Sequence, residues 1–251
     1  MTDAHGDWLF DLGNSRLKAA PLDRHGRPGG VIAHPHADPD WCARLPSGRR
    51  AWVCSVASQV LSLELLQGLA ARFERISIAR TPAALGGVRV AYAHPGRLGV
   101  DRFLAMLGAR AMGEGPWLLV GVGTALTIDL LARDGAHAGG RIAPSPSVMR
   151  VSLHARATHL PATGGHCVAF ATDTADALAS GCEGAARALV RDSLEAAGAT
   201  LGMPVAALLH GGGAAAFAPL LDDAGDGPVR VEPALVLHGL AAWARAVAMR
   251  D

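Results

Sequence analysis

The 251-residue sequence lacks long apolar runs and an excess of charge of either sign. No stretch of about 18 residues is apolar without a charge or a turn former, so we expect no membrane span. The 23 Lys and Arg against 22 Asp and Glu give a formal net charge of +1. This balance offers no electrostatic reason to expect nucleic acid or an anionic membrane as a partner. Half of the residues are hydrophobic, enough for one large domain or two small ones.

Metal-binding cysteine motifs and a secretion signal are missing as well. The cysteines are scattered and form no C-x-x-C, which argues against a structural zinc site and fits a reduced cytoplasm. Residues 1–7 carry acids and lack the basic region and apolar run of a signal peptide, so we expect a cytoplasmic protein. His34 and His36 are more typical of a loop surface than of a metal site, and Arg44–Arg50 is a basic run. We expect both segments to be solvated loops.

The two commonest phosphate-binding motifs, GxxxxGK[ST] and GxGxxG, are also absent. A glycine turn instead follows an apolar strand three times, at Leu12–Ser15, Val122–Thr124 and Gly211–Gly213. Backbone N–H groups in such turns can approach phosphate oxygens because glycine has no Cβ. The turns also lie at strand ends, where α/β proteins bind ligands. One turn is weak evidence, but three in one chain favour a nucleotide site.

Two of these turns belong to segments that resemble each other. Residues 8–26 (WLFDLGNSRLKAAPLDRHG) and 117–135 (WLLVGVGTALTIDLLARDG) share a strand, a glycine turn, a second strand and a polar turn. The match indicates an internal duplication at domain scale, although two hairpins can also resemble each other by chance. We therefore expect an α/β fold with partly antiparallel sheets, divided into domains at 1–115 and 116–251.

The rest of the sequence predicts further strands and helices in both halves. Residues 80–100 show no clear periodicity, and the last helix could pack back on the first domain. The other expected strands are 52–55, 75–79, 139–143 and 205–209, and the expected helices are 56–73, 101–112, 145–157, 174–198, 214–220 and 233–248.

Two acids and two bases are candidates for chemistry. Asp11 ends a strand at the first glycine turn, where it could hold Mg²⁺ through water or only stabilise the turn. Lys18 could neutralise phosphate or be a solvated strand residue. Asp101 begins a helical pattern, so it could be an N-cap, a general base for an attacking hydroxyl, or both. Arg102 could bind an anionic part of the substrate.

In this order the motifs resemble those of type III pantothenate kinases, a family of the actin, hexokinase and acetate kinase superfamily. The resemblance covers nearly the whole chain, and the ordered set is far more specific than any single motif. The matching segments are Asp11–Lys18, Leu98–Arg102 with Gly108 and Ala109, Gly123–Asp129, Gly139–Gly140, Leu160–Pro161 and Thr174–Gly181.

The resemblance implies ATP- and Mg²⁺-dependent phosphorylation of pantothenate at its terminal hydroxyl, the first step towards coenzyme A. It implies a homodimer of chains with two ribonuclease-H-like domains and a nucleotide cleft between them. Asp101 would be the general base, and Asp11 would also bind the metal ion. The pantothenate contacts would be Tyr92, Gly99, Val100, Arg102 and Thr174, the last reaching the site of the other subunit. The ATP contacts would be Asp11, Leu12, Gly13, Asn14, Ser15, Arg16, Leu17, Lys18 and Thr124.

One position departs from the family pattern. The family usually has an acid two residues before the glycine of its second phosphate motif, where it helps to hold a monovalent cation, K⁺ or NH₄⁺. This chain has Gly121 there, and Pro144-Ser-Pro146 replaces the usual Pro-Gly. We therefore expect catalysis to persist but to depend less on K⁺ than in the family at large.

Two other functions remain compatible with these motifs. The chain could be a binding or regulatory protein on a kinase fold, although such a protein need not keep Asp11, Asp101, Arg102 and Thr124. It could also phosphorylate another small hydroxylated acid, since the walls of the pocket cannot be inferred from the motifs. Binding without product would favour the first, and a screen of hydroxy acids would reveal the second.

Overall fold

The structure of the chain, a computed structural model, describes residues 6–113, 115–221 and 228–249. Its described residues form two compact units. Unit 1 comprises those of Met1–Glu114, Arg133–His137 and Ala234–Asp251, and unit 2 those of Gly115–Ala132 and Ala138–Pro233. No helix among the described residues is long and apolar enough to cross a membrane.

Twelve strands and six α-helices alternate along the described residues. The strands are β1 (Asp7–Leu12), β2 (Arg16–Pro21), β3 (Ile32–Pro35), β4 (Gly48–Ser55), β5 (Phe73–Ile78), β6 (Ala84–Leu85), β7 (Val88–Arg89), β8 (Trp117–Val122), β9 (Ala125–Leu131), β10 (His137–Pro144), β11 (Ala206–His210) and β12 (Val229–Val231). The α-helices are α1 (Gln59–Ala70), α2 (Val100–Met112), α3 (Pro146–Arg156), α4 (Thr174–Leu201), α5 (Ala214–Phe217) and α6 (Leu235–Ala248). Short 3₁₀ helices occur at Trp41–Arg44, Pro95–Arg97 and Ala218–Leu221.

Each unit has a five-stranded sheet, and the two sheets have the same strand order. The order is β3-β2-β1-β4-β5 in unit 1 and β10-β9-β8-β11-β12 in unit 2. In both, the first hairpin is antiparallel and the next two strands join in parallel. The common topology is what the repeated hairpin in the sequence predicts.

The hairpins and long helices lie where the sequence predicts them, but several local expectations are wrong. Arg44–Arg50 is not one loop, because β4 begins at Gly48 and includes Arg49 and Arg50. His34 is not a surface residue: it lies in β3 and is buried. Val122, like Gly121, belongs to β8 and not to the turn after it. The short edge strands β3 and β12 were not predicted, since three or four residues carry too little periodicity.

Side chains alternate between the two faces of each sheet. In unit 1, one face packs Phe10, Val53 and neighbours against α1, which Ser58 caps by accepting a hydrogen bond from the N–H of Leu61. In unit 2, the matching face packs against α4 and α5. The side chain of Asp11 and the Cα hydrogen side of Gly121 belong to the opposite faces, because these positions alternate with the core residues.

The opposite face of the unit 1 sheet is covered by α2 and α6, which cross at very close range. Trp52 of β4 meets Trp243 of α6 edge-on at 5.8 Å between ring centroids. A Cβ at Gly239 would overlap the carbonyl oxygen of Leu104, and one at Gly108 would overlap that of Leu235. The two glycines therefore set the position of α2, whose first turn carries Asp101.

We predict that Gly239→Ala destabilises the protein by about 1–3 kcal/mol, because the added methyl must push the helices apart. Chemical denaturation measures the free energy of unfolding. Gly184→Ala in α4 is the matched control, since a Cβ there meets no atom within 4 Å. The control should be neutral or slightly stabilising through helix propensity. Equal effects of the two variants would contradict the close crossing.

Candidate active site

The first glycine turn is held from two sides in unit 1. The N–H of Gly13 donates to the carbonyl oxygen of Arg16 at 3.1 Å, which closes the β1–β2 hairpin. A ring nitrogen of His36 donates to the carbonyl oxygen of Gly13 at 2.8 Å, and the N–H of His36 donates to that of Ser15 at 3.2 Å. His36, directly after β3, therefore fixes the turn, which the sequence did not reveal.

Neither the backbone conformation nor the neighbouring atoms require glycine at positions 13 and 123. Neither has a positive φ, and a Cβ would approach no atom closer than 3.6 Å at Gly13 or 3.8 Å at Gly123. A side chain would instead occupy the space in front of the turn, which suits close approach of a ligand. Gly211 differs, because its φ is +93° and a Cβ would lie 2.6 Å from the carbonyl oxygen of Val122. The third glycine turn thus has a structural cause.

Asp11 is a carboxylate in an unfavourable place. Burial at the end of β1 raises its pKa from 3.8 to about 6. The positive charge of Lys18, its partner in the hairpin register, lowers the pKa, whereas the negative charge of Asp101 raises it. The same burial lowers the pKa of Lys18, an effect that the charge of Asp11 opposes. Asp11 and Asp101 therefore interact electrostatically within unit 1.

Cys54 completes this group from the neighbouring strand. It is fully buried, pairs with Asp11 in the parallel β1–β4 register and shares a side-chain hydrogen bond with it. Burial raises the pKa of the thiol well above its usual value, and the charges of Asp11 and Asp101 raise it further. The thiol therefore stays protonated and donates its proton to the carboxylate of Asp11. Aligning β4 with β1 in parallel register would have identified it as the neighbour of Asp11.

The Gly99–Arg102 motif has a steric explanation. Gly99, not Asp101, is the N-cap of α2, so the N-cap reading of Asp101 is wrong. Asp101 lies in the first turn, where its Oδ1 accepts a hydrogen bond from the N–H of Arg102 at 2.9 Å. The same oxygen would lie 2.7 Å from a Cβ at residue 99. Glycine at 99 therefore makes room for the Asp101 carboxylate, while Val100 opens the helix and is half-buried.

Arg102 and Tyr92 lie together. Nη1 of Arg102 donates to the hydroxyl oxygen of Tyr92 at 3.2 Å, and the guanidinium lies 6.0 Å from the ring centroid. On the other side, Tyr92 stacks on His137 at 5.9 Å between centroids. Nδ1 of His137 accepts from the N–H of Ala91 at 3.4 Å. Sequence reasoning missed His137 because it lies 45 residues along the chain from Tyr92, at the start of β10.

The other predicted site residues lie in unit 2. Thr124 is exposed in the β8–β9 turn, and its carbonyl oxygen accepts from the N–H of Ser145 at 3.4 Å. Thr174 is exposed in the first turn of α4, which Asp173 caps through the N–H groups of Ala175 and Asp176. In unit 1, Asn14, Ser15 and Arg16 are exposed around the first turn, whereas Leu12 and Leu17 are buried and support it.

Comparison with known proteins decides the family. The family model of type III pantothenate kinases matches residues 8–196. The chain belongs to this family. A type III pantothenate kinase of Xanthomonas euvesicatoria pv. vesicatoria (strain 85-10) is 56% identical over 247 residues, covering 96% of this chain and 98% of the relative. Another, of Xanthomonas oryzae pv. oryzae (strain PXO99A), is 54% identical over 247 residues with the same coverage.

Solved structures show the same fold at much lower identity. A protein of Campylobacter jejuni described as a Baf family transcriptional activator has a TM-score of 0.60 and 19% identity, covering 97% of this chain and 98% of its own. An archaeal actin homologue has a TM-score of 0.53 and 10% identity, covering 98% and 100%. An ADPNP-bound dehydratase activator of Clostridium difficile has a TM-score of 0.51 and 8% identity, covering 98% and 97%. This pantothenate kinase family member therefore has a mixed α/β, actin-like fold.

Of the two cations that the family implies, only Mg²⁺ fits. Mg²⁺ is usually held by one or two carboxylates together with substrate phosphates. Asp11 is a carboxylate whose charge is disfavoured by burial, so a divalent cation beside it would relieve that cost. For a monovalent cation, position 121 supplies no acid. A Cβ there would overlap the hydroxyl of Thr127.

We predict that the charge of Asp11 lowers the free energy of unfolding in a pH-dependent way when neither Mg²⁺ nor nucleotide is bound. Because the folded pKa is raised to about 6, the contribution of this group to stability is complete below about pH 4 and is lost as the pH rises through 6. At pH 7.5, Asp11→Asn should therefore unfold with about 1–3 kcal/mol more free energy than the parent. The difference should shrink towards pH 4.

Urea denaturation at both pH values, with EDTA present, measures this difference. Asp40→Asn is the control, because Asp40 is exposed and its side chain caps nothing. If the stability difference between the parent and Asp11→Asn were the same at both pH values, the raised pKa of Asp11 would be refuted.

Proposed function

We propose that this chain transfers the γ-phosphoryl group of ATP to the terminal hydroxyl of pantothenate, giving ADP and 4′-phosphopantothenate, with Asp101 as the general base. The observation that supports it best is the electrostatic interaction of Asp101 with Asp11, because it joins the substrate motif to the first phosphate motif. If Asp101 and Asp11 lay on opposite faces of unit 1, they could not serve the same phosphoryl transfer.

Asp101 orients the acceptor and takes its proton. As the hydroxyl oxygen forms its bond to the γ-phosphorus, the proton passes to the carboxylate and the bond to the β,γ-bridging oxygen breaks, releasing ADP. In phosphoryl transfer the base mainly positions the nucleophile, so a fixed carboxylate matters more than a strong one. The hydrogen bond from the Arg102 N–H to Asp101 fixes it at the start of α2.

Arg102 and Tyr92 bind the other end of the acceptor. Pantothenate carries a carboxylate, and a guanidinium is the preferred partner for a carboxylate. The hydrogen bond between Arg102 and Tyr92 orients the guanidinium before substrate arrives, while Gly99 and Val100 line the same site.

ATP is held by the segment 11–18 and by Thr124, in a cleft between two ribonuclease-H-like domains at 1–115 and 116–251. The matching strand order of the two sheets supports two such domains. The glycine turns offer backbone N–H groups to phosphate, and Lys18 adds a positive charge beside Asp11. When bound, Mg²⁺ held by Asp11 would neutralise phosphate charge.

The protein acts as a homodimer in which Thr174 of each chain reaches the pantothenate site of the other. Its support is an apolar groove between α3 and α4, lined by Met149, Leu153, Leu178 and Cys182 among others. Elsewhere in this part of the chain, Val151 of α3 is 57% and Phe170 is 96% exposed. An apolar groove and exposed apolar side chains are typical of a protein interface.

We predict that Asp101→Asn lowers turnover of ATP and pantothenate by about 10²–10⁴-fold, since the amide keeps the shape but accepts no proton. ATP affinity, measured by calorimetric titration, should be retained. Asp192→Asn, on the exposed face of α4, is the control and should keep full activity. Near-normal turnover in Asp101→Asn would refute the base. ATP binding without product in the parent would favour the binding-protein alternative.

A mixing experiment tests whether Thr174 acts across the dimer. Asp101→Asn and Thr174→Ala chains should each have little activity alone. Mixing them should recover up to about a quarter of the parental activity, because half of the dimers are mixed and each has one intact site. Adding Val151→Glu to both chains should prevent recovery and give monomers in light scattering. No recovery between chains that do form dimers would place Thr174 in its own subunit's site.

A further inference from the structure

The space above Gly121 is filled by two neighbouring side chains. Gly121 pairs with Thr127 of β9 and with His210 of β11 in the sheet of unit 2. A Cβ at residue 121 would overlap Oγ1 of Thr127 and would lie 3.0 Å from Cε1 and 3.1 Å from Nε2 of His210. Such distances leave no room for a larger side chain. The ring and the hydroxyl therefore occupy the volume that an acid at this position needs.

The equivalent positions of unit 1 carry different chemistry. Leu12 and Leu17 form the last pair of the first hairpin, and Val122 and Leu126 form the last pair of the second. One residue before these pairs, Asp11 occupies the position that Gly121 occupies in unit 2. In the same register, Lys18 corresponds to Thr127 and Cys54 to His210. Unit 1 thus presents an acid with a base and a thiol, and unit 2 presents an imidazole with a hydroxyl.

His210 is fixed beside the second glycine turn. It ends β11 and is only 8% exposed. After it, the N–H of Gly213 donates to the carbonyl oxygen of Val122 at 2.9 Å, which ties the end of β11 to the residue preceding Gly123. The other titratable side chain on this face of the hairpin is Asp129 of β9, two residues beyond Thr127 and also buried. His210 therefore belongs to a strand end that is tied to Val122, the residue before Gly123, and its ring lies against Gly121.

We infer that the imidazole of His210, admitted by Gly121 and backed by Thr127, replaces a cation-holding acid and positions the Gly123–Thr124 turn for nucleotide phosphate without a monovalent cation. This inference rests on the proposed role of Thr124 in ATP binding. It makes His210 a positioning residue and gives Gly121 a steric role. A charged acid cannot simply be restored at 121, because the imidazole is in the way.

The first test measures ATP binding, not turnover, so that it does not depend on pantothenate. Calorimetric titration with Mg²⁺ and ATP would be run in K⁺, in NH₄⁺ and in tetramethylammonium at equal ionic strength. The parent should bind ATP with affinities that agree within about twofold in all three salts, since no cation site is coupled to the nucleotide. A loss of more than about fivefold in tetramethylammonium would overturn the inference.

Three variants separate the roles of the two residues. His210→Ala should weaken ATP binding by about tenfold in every salt, because a hydrogen-bonding group beside Gly121, two residues before the turn glycine, is lost. Gly121→Asp alone should fold with a lower melting temperature and bind ATP poorly, since its side chain meets the hydroxyl of Thr127 and the ring of His210. The double variant Gly121→Asp/His210→Ala removes the contact with the ring and keeps the one with Thr127. It should have a higher melting temperature than Gly121→Asp and bind ATP at least about fivefold better in K⁺ than in tetramethylammonium.

The exposed His159→Ala is the matched control and should change neither affinity nor salt response. Unchanged ATP affinity in His210→Ala would overturn the positioning role. A double variant no more stable than Gly121→Asp would overturn the steric one. Failure of the proposed function has a different signature, namely salt-independent, His210-dependent ATP binding with no phosphorylation of pantothenate. The two conclusions can therefore fail separately.

Discussion

The site of unit 1 depends on keeping the Asp11 carboxylate at the buried end of β1. Burial opposes its charge and raises its pKa to about 6, and Asp101 adds to the penalty. Lys18 and the thiol of Cys54 offset part of it. The rest of this free-energy cost must be offset by other interactions of the fold or by a bound cation. A site that is unfavourable when empty gains most when metal and nucleotide arrive.

The surrounding sheet makes this arrangement possible. Three strands place Asp11, Lys18 and Cys54 in adjacent register, so none can turn away without breaking strand pairing. The close crossing of α2 and α6 at Gly108 and Gly239 then sets the position of the first turn of α2, which carries Asp101. The main apolar core with α1 lies on the other face of the same sheet, so the charged group does not interrupt it.

Local patterns in the sequence predicted the hairpins, the long helices and the order of the motifs, because turns and helical periodicity depend on near neighbours. What they missed depends on distant parts of the chain. His36 and His137 reach the site through contacts across 23 and 46 residues, with Gly13 and Ala91 respectively. The N-cap reading of Asp101 failed for a different reason. Its carboxylate lies over Gly99, and that glycine takes the N-cap position itself.

The two halves show how one topology accommodates unlike chemistry. Strand order, turn position and register are shared, so a change at one position must be absorbed by the residues paired with it. At Gly121 the acid of the first half has no counterpart, and the larger side chain comes from β11 instead. The space beside position 121 is filled by a side chain of a neighbouring strand and not by residue 121 itself. Electrostatics is then free to diverge, because packing is maintained.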